Sequence, residues 1–171
     1  MRLRAVVVLS VVFLAGVATT TASARPAEPV SDGALVRDLA NRMNATRISA
    51  GLGGLRYSPG LAAAATARAE ALARQGWAAQ PLSGTALRGK LRSYYGVGAS
   101  SWSVREAVLW ADQSMCAAAA LQLWLQRARD RKTVLGPGWQ DAGVAAVRLP
   151  AEAADERGTV FFVIEVGTRT A

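Results

Sequence analysis

Residues 55–76, LRYSPGLAAAATARAEALARQG, carry the strongest helix signal in the chain. Ser58 followed by Pro59 is typical of a helix N-cap and its first helical position. The alanine-rich run that follows has high helix propensity, and Gly76 predicts its end. Because the side chains are small, we expect this helix to pack closely against its neighbour.

Three further helices are predicted, one before this stretch and two after it. Upstream, Ser31 is a candidate cap and Gly51 a candidate stop, and between them Leu35, Leu39 and Met43 recur at a spacing of four residues. Downstream, a shorter helix is expected over residues 86–94, ending at Gly96. A fourth is expected after a cap at Ser114, with apolar residues through Leu125.

The C-terminal part changes its periodicity. Residues 142–149 and 159–166 are rich in β-branched and aromatic residues, and the polar residues 150–158 separate them. An antiparallel hairpin is the simplest arrangement. Helices followed by a hairpin predict an α+β fold in which helices cover a small antiparallel sheet.

Composition excludes several kinds of chemistry. The chain has 171 residues, of which 51% are hydrophobic and 19% charged, as expected for one globular domain. It has a formal charge of +8, but its arginines are dispersed, so no nucleic-acid partner is predicted. It contains no histidine, which excludes Ser-His and Cys-His catalytic pairs and a His-ligated zinc. The single cysteine, Cys116, cannot form an internal disulfide, and it is predicted to be a buried, inert thiol.

The N-terminus has the features of a signal peptide. Arg2 and Arg4 precede the apolar residues 5–18, and residues 22–24, Ala-Ser-Ala, form a small-x-small cleavage site. We predict a signal peptide over residues 1–24, a short leader over 25–30 and one domain over 31–171. The apolar run is too short to span a bilayer comfortably, so the chain is expected to be secreted, with no transmembrane segment after cleavage and with an uncleaved anchor as the alternative.

Three stretches together resemble a known family. They are 55–76, quoted above, residues 124–139, WLQRARDRKTVLGPGW, and residues 141–145, DAGVA. In order and spacing they are similar to the bacterial, SCP-like branch of the CAP superfamily, the cysteine-rich secretory, antigen-five and pathogenesis-related proteins. The resemblance implies an α-β-α sandwich with a central antiparallel sheet.

The resemblance also implies a cleft, which in the family holds two histidines and acidic residues around a divalent metal. Alignment places Gln80 and Asp130 at the positions of the two histidines and Arg68 at a further histidine on the helix. Glu106 takes the place of a cleft carboxylate. Zinc prefers nitrogen and sulfur ligands, whereas Gln80, Glu106 and Asp130 offer only oxygens, so zinc is not expected. Oxygen ligands suit calcium or magnesium, but two carboxylates and one amide make a poor cage, so no metal and no other cofactor is predicted.

Two functions are compatible with these residues. The first is a non-catalytic binding or interaction module at the bacterial envelope or outside the cell, with an envelope glycan, an anionic lipid or a protein as its partner. The second is a metal-independent hydrolase in which Glu106 and Asp130 act as a carboxylate pair. Against the second, Glu106 could simply pair with a neighbouring arginine, and Asp130 could offset the positive charges of residues 127–132 in a loop.

Aromatic residues supply the remaining candidates. Tyr94, Tyr95 and Trp102 lie beside the Gly/Ser-rich stretch 96–101 and are candidates for an exposed binding surface. Trp124 and Trp139 are expected in the core. We expect a monomer, with an assembly role for the exposed aromatic residues as an alternative.

Overall fold

The structure, a computed structural model, describes residues 28–75, 82–151 and 158–170. Five helices and five strands are found within these residues. Their order is β1 (Val30–Ser31), α1 (Gly33–Ser49), β2 (Arg56–Tyr57), α2 (Pro59–Gln75), α3 (Gly84–Leu91), β3 (Ser101–Asp112), α4 (Ala117–Gln126), α5 (Ala128–Leu135), β4 (Asp141–Leu149) and β5 (Thr159–Thr170). No helix in this part of the chain combines the length and apolar character that crossing a bilayer requires.

The strands form one sheet in the order β1-β4-β5-β3, and the short β2 pairs in parallel with β4. β4 and β5 are antiparallel, which confirms the predicted hairpin, although β5 continues to Thr170. β3 is not predicted from the sequence pattern, and it pairs with β5 along all of its 12 residues. Val30, the last residue of the predicted leader, pairs with Arg148 in β4.

Helices cover both faces of the sheet. On one face, the apolar side of α2 packs on a cluster that includes Val108 and Val163. On the other face, α1 and α4 enclose Phe162 and Ile164, and the Trp124 indole contacts the Phe162 ring edge-on at 6.4 Å between centroids. Each such side chain contributes about 1.5–3 kcal/mol when fully buried. The predicted α+β class and the α-β-α sandwich are therefore confirmed.

α2 lies directly on the backbone of β4. A Cβ atom at Gly143 would stand 2.1 Å from the carbonyl carbon of Leu61 and from the nitrogen of Ala62. Only a glycine permits this approach. The close packing expected from the small residues of α2 is thus present.

A buried arginine joins three separate parts of the chain. Arg47, in the last turn of α1, donates hydrogen bonds to the carbonyl oxygens of Gly53 (2.9 Å), Val134 (2.7 Å) and Gly136 (3.0 Å). Val134 and Gly136 lie at the end of α5, where carbonyl groups lack partners within the helix. Arg47 therefore fixes α1 against α5 by satisfying those groups.

The predicted helix starts are correct for α2 and wrong for α1. α2 begins at Pro59, and the Ser58 hydroxyl accepts a hydrogen bond from the Leu61 amide at 3.3 Å. In α1 the cap is Asp32 instead of Ser31, because the Asp32 carboxylate accepts from the Leu35 amide at 2.9 Å. The predicted stop at Gly76 lies outside the described residues.

Two more corrections concern the predicted third and fourth helices. The third spans Gly84–Leu91 instead of 86–94, and residues 92–95 form a turn. The fourth begins at Ala117 instead of after Ser114. Cys116 consequently stands in extended backbone just before the helix, and its side chain is exposed instead of buried as predicted.

Candidate functional site

Two glutamates face each other in the middle of the sheet. Glu106 of β3 is in register with Glu165 of β5, on the face that α2 covers. Glu106 is 3% exposed and Glu165 is 0% exposed. Two carboxyl groups side by side and out of water cannot both ionise cheaply, so their partners decide the state of each.

Glu106 contacts a backbone N–H group and an arginine side chain. Its Oε1 accepts a hydrogen bond from the backbone N–H of Leu82 at 2.7 Å, just before α3. Its Oε2 lies 3.3 Å from Nε of Arg68, a buried residue of α2. Oε1 is thus hydrogen-bonded, whereas Oε2 has an ion-pair contact without a hydrogen bond among the described residues, and the prediction that Glu106 could pair with an arginine is confirmed.

Glu165, in contrast to Glu106, is buried without hydrogen bonds from the described residues to its carboxyl group. Neither of its carboxyl oxygens has a hydrogen-bond partner among the residues that the structure describes. Burial, together with the negative charge of Glu106, raises its pKa to about 8, against the weaker opposing effect of Lys90 and Arg68. Glu165 is therefore mainly protonated at neutral pH.

Glu165 is not among the site residues predicted from the sequence. The available signal was one carboxyl group inside the apolar run VFFVIEVG of residues 160–167. An ionisable residue in such a strand is expected either to be paired or to have a perturbed pKa. Glu165 shows the second outcome.

Lys90 of α3 completes the cluster. Burial lowers its pKa and the nearby Arg68 lowers it further, whereas Glu106 and Glu165 oppose both effects. The cluster therefore holds two cationic side chains beside one engaged carboxylate and one protonated acid. Arg68 offsets the charge of Glu106, so the partly buried Lys90 leaves the cluster with about one net positive charge.

These residues do not fit a divalent metal. The Arg68 guanidinium lies against Glu106 where a cation would have to stand. Across residues 28–75, 82–151 and 158–170, no three side chains of the His, Cys, Asp or Glu type form a group that could hold a metal ion. The donor set offers neither the imidazole nor the thiolate ligands that zinc prefers.

A cavity of about 200 Å³ opens beside Glu106. It lies between the start of α3, the strand β3 and the helix α5, and its lining comprises Leu82, Ser83, Gly84, Leu87, Val104, Arg105, Glu106, Arg129 and Thr133. Arg105 and Arg129 are exposed and give the cavity a cationic mouth. Glu165 does not line it.

Asp130 is not part of this cavity. It lies on α5 instead of in a loop as predicted, and it is buried. Burial raises its pKa, whereas Arg127 and Arg129 lower it, and the closest ion pair is with Arg127 Nη1 at 3.9 Å. Of the three aligned candidates, Glu106 lines the cavity, Asp130 does not, and Gln80 lies outside the described residues.

The aromatic candidates separate into exposed and buried residues. Tyr94 is exposed, but Tyr95 is buried, and its hydroxyl donates to Asp141 Oδ2 at 2.7 Å. Burial raises the pKa of Tyr95, and the hydrogen bond to Asp141 raises it further. A Cβ atom at Gly167 would stand 2.6 Å from the Tyr95 ring, so a glycine is needed beneath it. Tyr95 is therefore structural, which corrects its assignment to a binding surface.

Trp102 is half-buried and contacts two side chains. The Arg88 guanidinium carbon lies 5.0 Å from the centre of its indole ring, and the Tyr95 ring meets it edge-on at 6.3 Å. Of the other tryptophans, Trp124 is buried in the core as predicted. Trp139 is partly buried and packs against the same core cluster.

A model of the cysteine-rich secretory protein family matches residues 40–165. No curated protein sequence matches significantly.

Three solved structures share the fold. An outer surface protein from Borrelia burgdorferi superimposes with a TM-score of 0.64 at 16% identity, over 84% of this chain and 99% of that one. An extracellular protein containing an SCP domain from Bacillus anthracis superimposes with a TM-score of 0.55 at 17% identity, over 78% of this chain and 40% of that one. A cysteine-rich secretory protein from Staphylococcus aureus superimposes with a TM-score of 0.54 at 15% identity, over 78% of this chain and 38% of that one.

Proposed function

Because the chain belongs to the cysteine-rich secretory protein family, we propose that it acts outside the cytoplasm as a binding domain that catalyses no reaction. The N-terminal residues 1–24 support export, since they combine a charged start, an apolar run and a cleavage site. The names of the relatives agree: one is an outer surface protein, one is extracellular and one is secretory.

The state of Glu106 carries the proposal. A general base needs a free lone pair within reach of the substrate proton, and a general acid needs a proton to give. The Glu106 side chain is 0% exposed, with one oxygen hydrogen-bonded to the Leu82 amide and the other held against the Arg68 guanidinium, so its lone pairs face the protein. A carboxylate held in this way positions α3 and α2 against the sheet instead of exchanging protons with a ligand.

The other acids do not supply a catalytic partner. Asp130 is absent from the cavity that Glu106 lines. Glu165 has the raised pKa that a general acid requires, but it is fully buried and does not reach the cavity. A pair of carboxyl groups with separated pKa values marks acid and base only when both can touch the substrate.

The cavity is suited to holding a small group. Its volume of about 200 Å³ is below the range of drug-sized ligand sites. Arg105 and Arg129 at its mouth and the Ser83 hydroxyl favour an anionic or hydroxyl-bearing group. Such groups belong to envelope glycans, lipid headgroups and protein side chains, which are the partners that the sequence predicts.

The test is a comparison of binding and turnover in the exported protein. The full chain is expressed in a host that exports it, and the product is identified by mass, with Arg25 expected as its first residue. Its thermal unfolding is then followed with soluble wall-glycan fragments and with lipid vesicles. A ligand present at 100 times its Kd stabilises the folded state by about 2.7 kcal/mol.

Glu106→Gln separates the two functions. The substituted amide has nearly the same size as the carboxylate and still accepts a hydrogen bond from the Leu82 N–H, so we expect ligand stabilisation to be retained. Glu70→Gln, at an exposed carboxylate paired with Arg74, is the matched control. Turnover of glycoside or ester substrates that disappears in Glu106→Gln and persists in Glu70→Gln would contradict the proposal and establish the hydrolase.

A further inference from the structure

Exposed apolar side chains concentrate at one end of the sheet. Tyr57 is 74% exposed, Val97 71% and Tyr94 40%. They are three of the six exposed large hydrophobic residues in the described part of the chain. All three lie where β2, the turn after α3 and the entry to β3 meet, and the Tyr94 carbonyl oxygen would lie 2.0 Å from a Cβ atom at Gly60.

Arginines surround these side chains. One cavity of about 340 Å³ is lined by Arg88 and Arg92 together with Trp102, and another of about 250 Å³ is lined by Arg56 and Arg169. Ala99 lines both cavities, so they lie on either side of the loop of residues 96–100, which carries Val97. We call this region the loop-97 surface; it comprises Arg56, Tyr57, Arg88, Arg92, Tyr94, Val97, Trp102 and Arg169.

The charges of this surface are largely uncompensated. Arg88 rests on the Trp102 indole, and Arg169 lies 5.1 Å from the centre of the Tyr95 ring. An aromatic contact orients a guanidinium without neutralising it. Within the described residues no ion pair joins Arg88, Arg92 or Arg169 to a carboxylate, whereas Arg56 pairs with Asp141 at 3.0 Å.

The local sequence agrees with this distribution of charge. Residues 71–105 contain no Asp or Glu, but they contain the basic residues Arg74, Arg88, Lys90, Arg92 and Arg105. The surface therefore combines cationic cavities with exposed aromatic and aliphatic side chains. Anionic partners are attracted to such a surface, and the attraction weakens as salt is added.

We propose that the loop-97 surface docks on a bilayer that contains anionic phospholipids. The two arginine-lined cavities receive lipid phosphate groups, and Val97 enters the interfacial layer between them. Tyr57 and Tyr94 lie at headgroup depth, where tyrosine is favourable. This inference rests on the proposed function, because it names the partner of an extracytoplasmic binding domain.

A bilayer explains an observation that a soluble polyanion does not. Arginine-lined cavities alone would also suit an acidic polysaccharide. Such a polymer offers no apolar layer for Val97 and Tyr57, which would stay in water. Exposed apolar side chains bordered by cationic groups are typical of surfaces that bind membranes or other proteins.

The experiment measures co-sedimentation of the exported chain with vesicles. One set contains phosphatidylglycerol and phosphatidylcholine at about 30:70, and the other contains phosphatidylcholine alone. We expect binding to the first set only, and weaker binding at high salt. Each basic residue near an anionic surface contributes about fivefold to partitioning, so Arg88→Gln/Arg92→Gln should lower it about 25-fold.

Matched controls keep net charge and apolar contact separate. Arg37→Gln/Arg131→Gln removes the same charge from exposed positions on α1 and α5, away from the surface, and should lower partitioning by much less. Val97→Ser keeps the charge and should lower partitioning about fivefold. Circular dichroism of each variant verifies that it is folded.

Soluble polygalacturonate serves as the competing ligand. Binding to it as strong as to the anionic vesicles, with no effect of Val97→Ser, would overturn the lipid proposal and leave an anionic-glycan binding domain. Equal losses in the two double variants would also overturn it, because net charge alone would then explain binding. Absence of vesicle binding, with stabilisation by wall glycan retained, would refute this inference and leave the proposed function intact.

Discussion

The buried Glu165 makes the stability of the domain depend on pH in a specific direction. Its pKa is about 8 in the folded protein and 4.5 without the fold, so the folded state holds one more proton between these values. The unfolded state gains stability by ionising there, and the folded state does not. Stability is therefore unaffected by Glu165 below about pH 4.5, falls as pH rises toward 8, and levels off above it.

The size of this effect follows from the two pKa values. When the pH rises from about 5.5 to 7.5, this difference in protonation lowers the free energy of unfolding by about 2.5 kcal/mol. Glu165→Gln removes the titration at nearly constant volume, so its stability should lack this decrease. The raised pKa of Asp130 acts in the same direction and the lowered pKa of Asp32 in the opposite one, but both remain in the variant.

The assay is urea unfolding at about pH 5.5, 6.5 and 7.5, with the slope of stability against pH compared between proteins. Glu70→Gln, at an exposed carboxylate of α2, should keep the slope of the unmodified chain. Equal slopes in the unmodified chain and in Glu165→Gln would refute the argument, because Glu165 would then ionise normally inside the fold.

Two further outcomes concern the packing around this site. Gly143→Ala should destabilise the fold by about 3 kcal/mol, because its Cβ would meet the backbone of Leu61 and Ala62; an unchanged urea midpoint would show that α2 can shift freely. Tyr95→Phe removes the hydrogen bond to Asp141 and should cost about 1–3 kcal/mol of unfolding free energy. Unchanged thermal unfolding in that variant would mean that Asp141 finds another donor.

The parts of the fold that depend on local pattern could be predicted from the sequence. Pro59 after Ser58 marked the start of α2, and two apolar segments gave the β4–β5 hairpin. β3 could not be found in this way. Its sequence SWSVREAVLWAD places Glu106 in a strand that has polar residues at its start and only four buried residues in a row, so it lacks the apolar run of β4 and β5.

The candidate site was predictable only in part. Glu106 and Arg68 were both identified by alignment, but their ion pair depends on how α2 crosses the sheet, which no local pattern contains. Glu165 was visible only as one carboxyl group in an apolar run, and its pairing with Glu106 could not be predicted because β3 was missed. The exposure of Tyr94 and the burial of Tyr95 could not be told apart, because neighbouring residues in a turn can point in opposite directions.

The contacts of Arg47 give the domain a cross-link that involves no covalent bond. One guanidinium connects the end of α1 and the nearby Gly53 to the end of α5, where Val134 and Gly136 lie 87 and 89 residues further along the chain. The single cysteine of the chain rules out an internal disulfide for this purpose. Hydrogen bonds form without an oxidant or an isomerase, so this connection does not depend on the thiol redox potential. The connection between α1 and α5 is therefore the same under reducing and oxidising conditions.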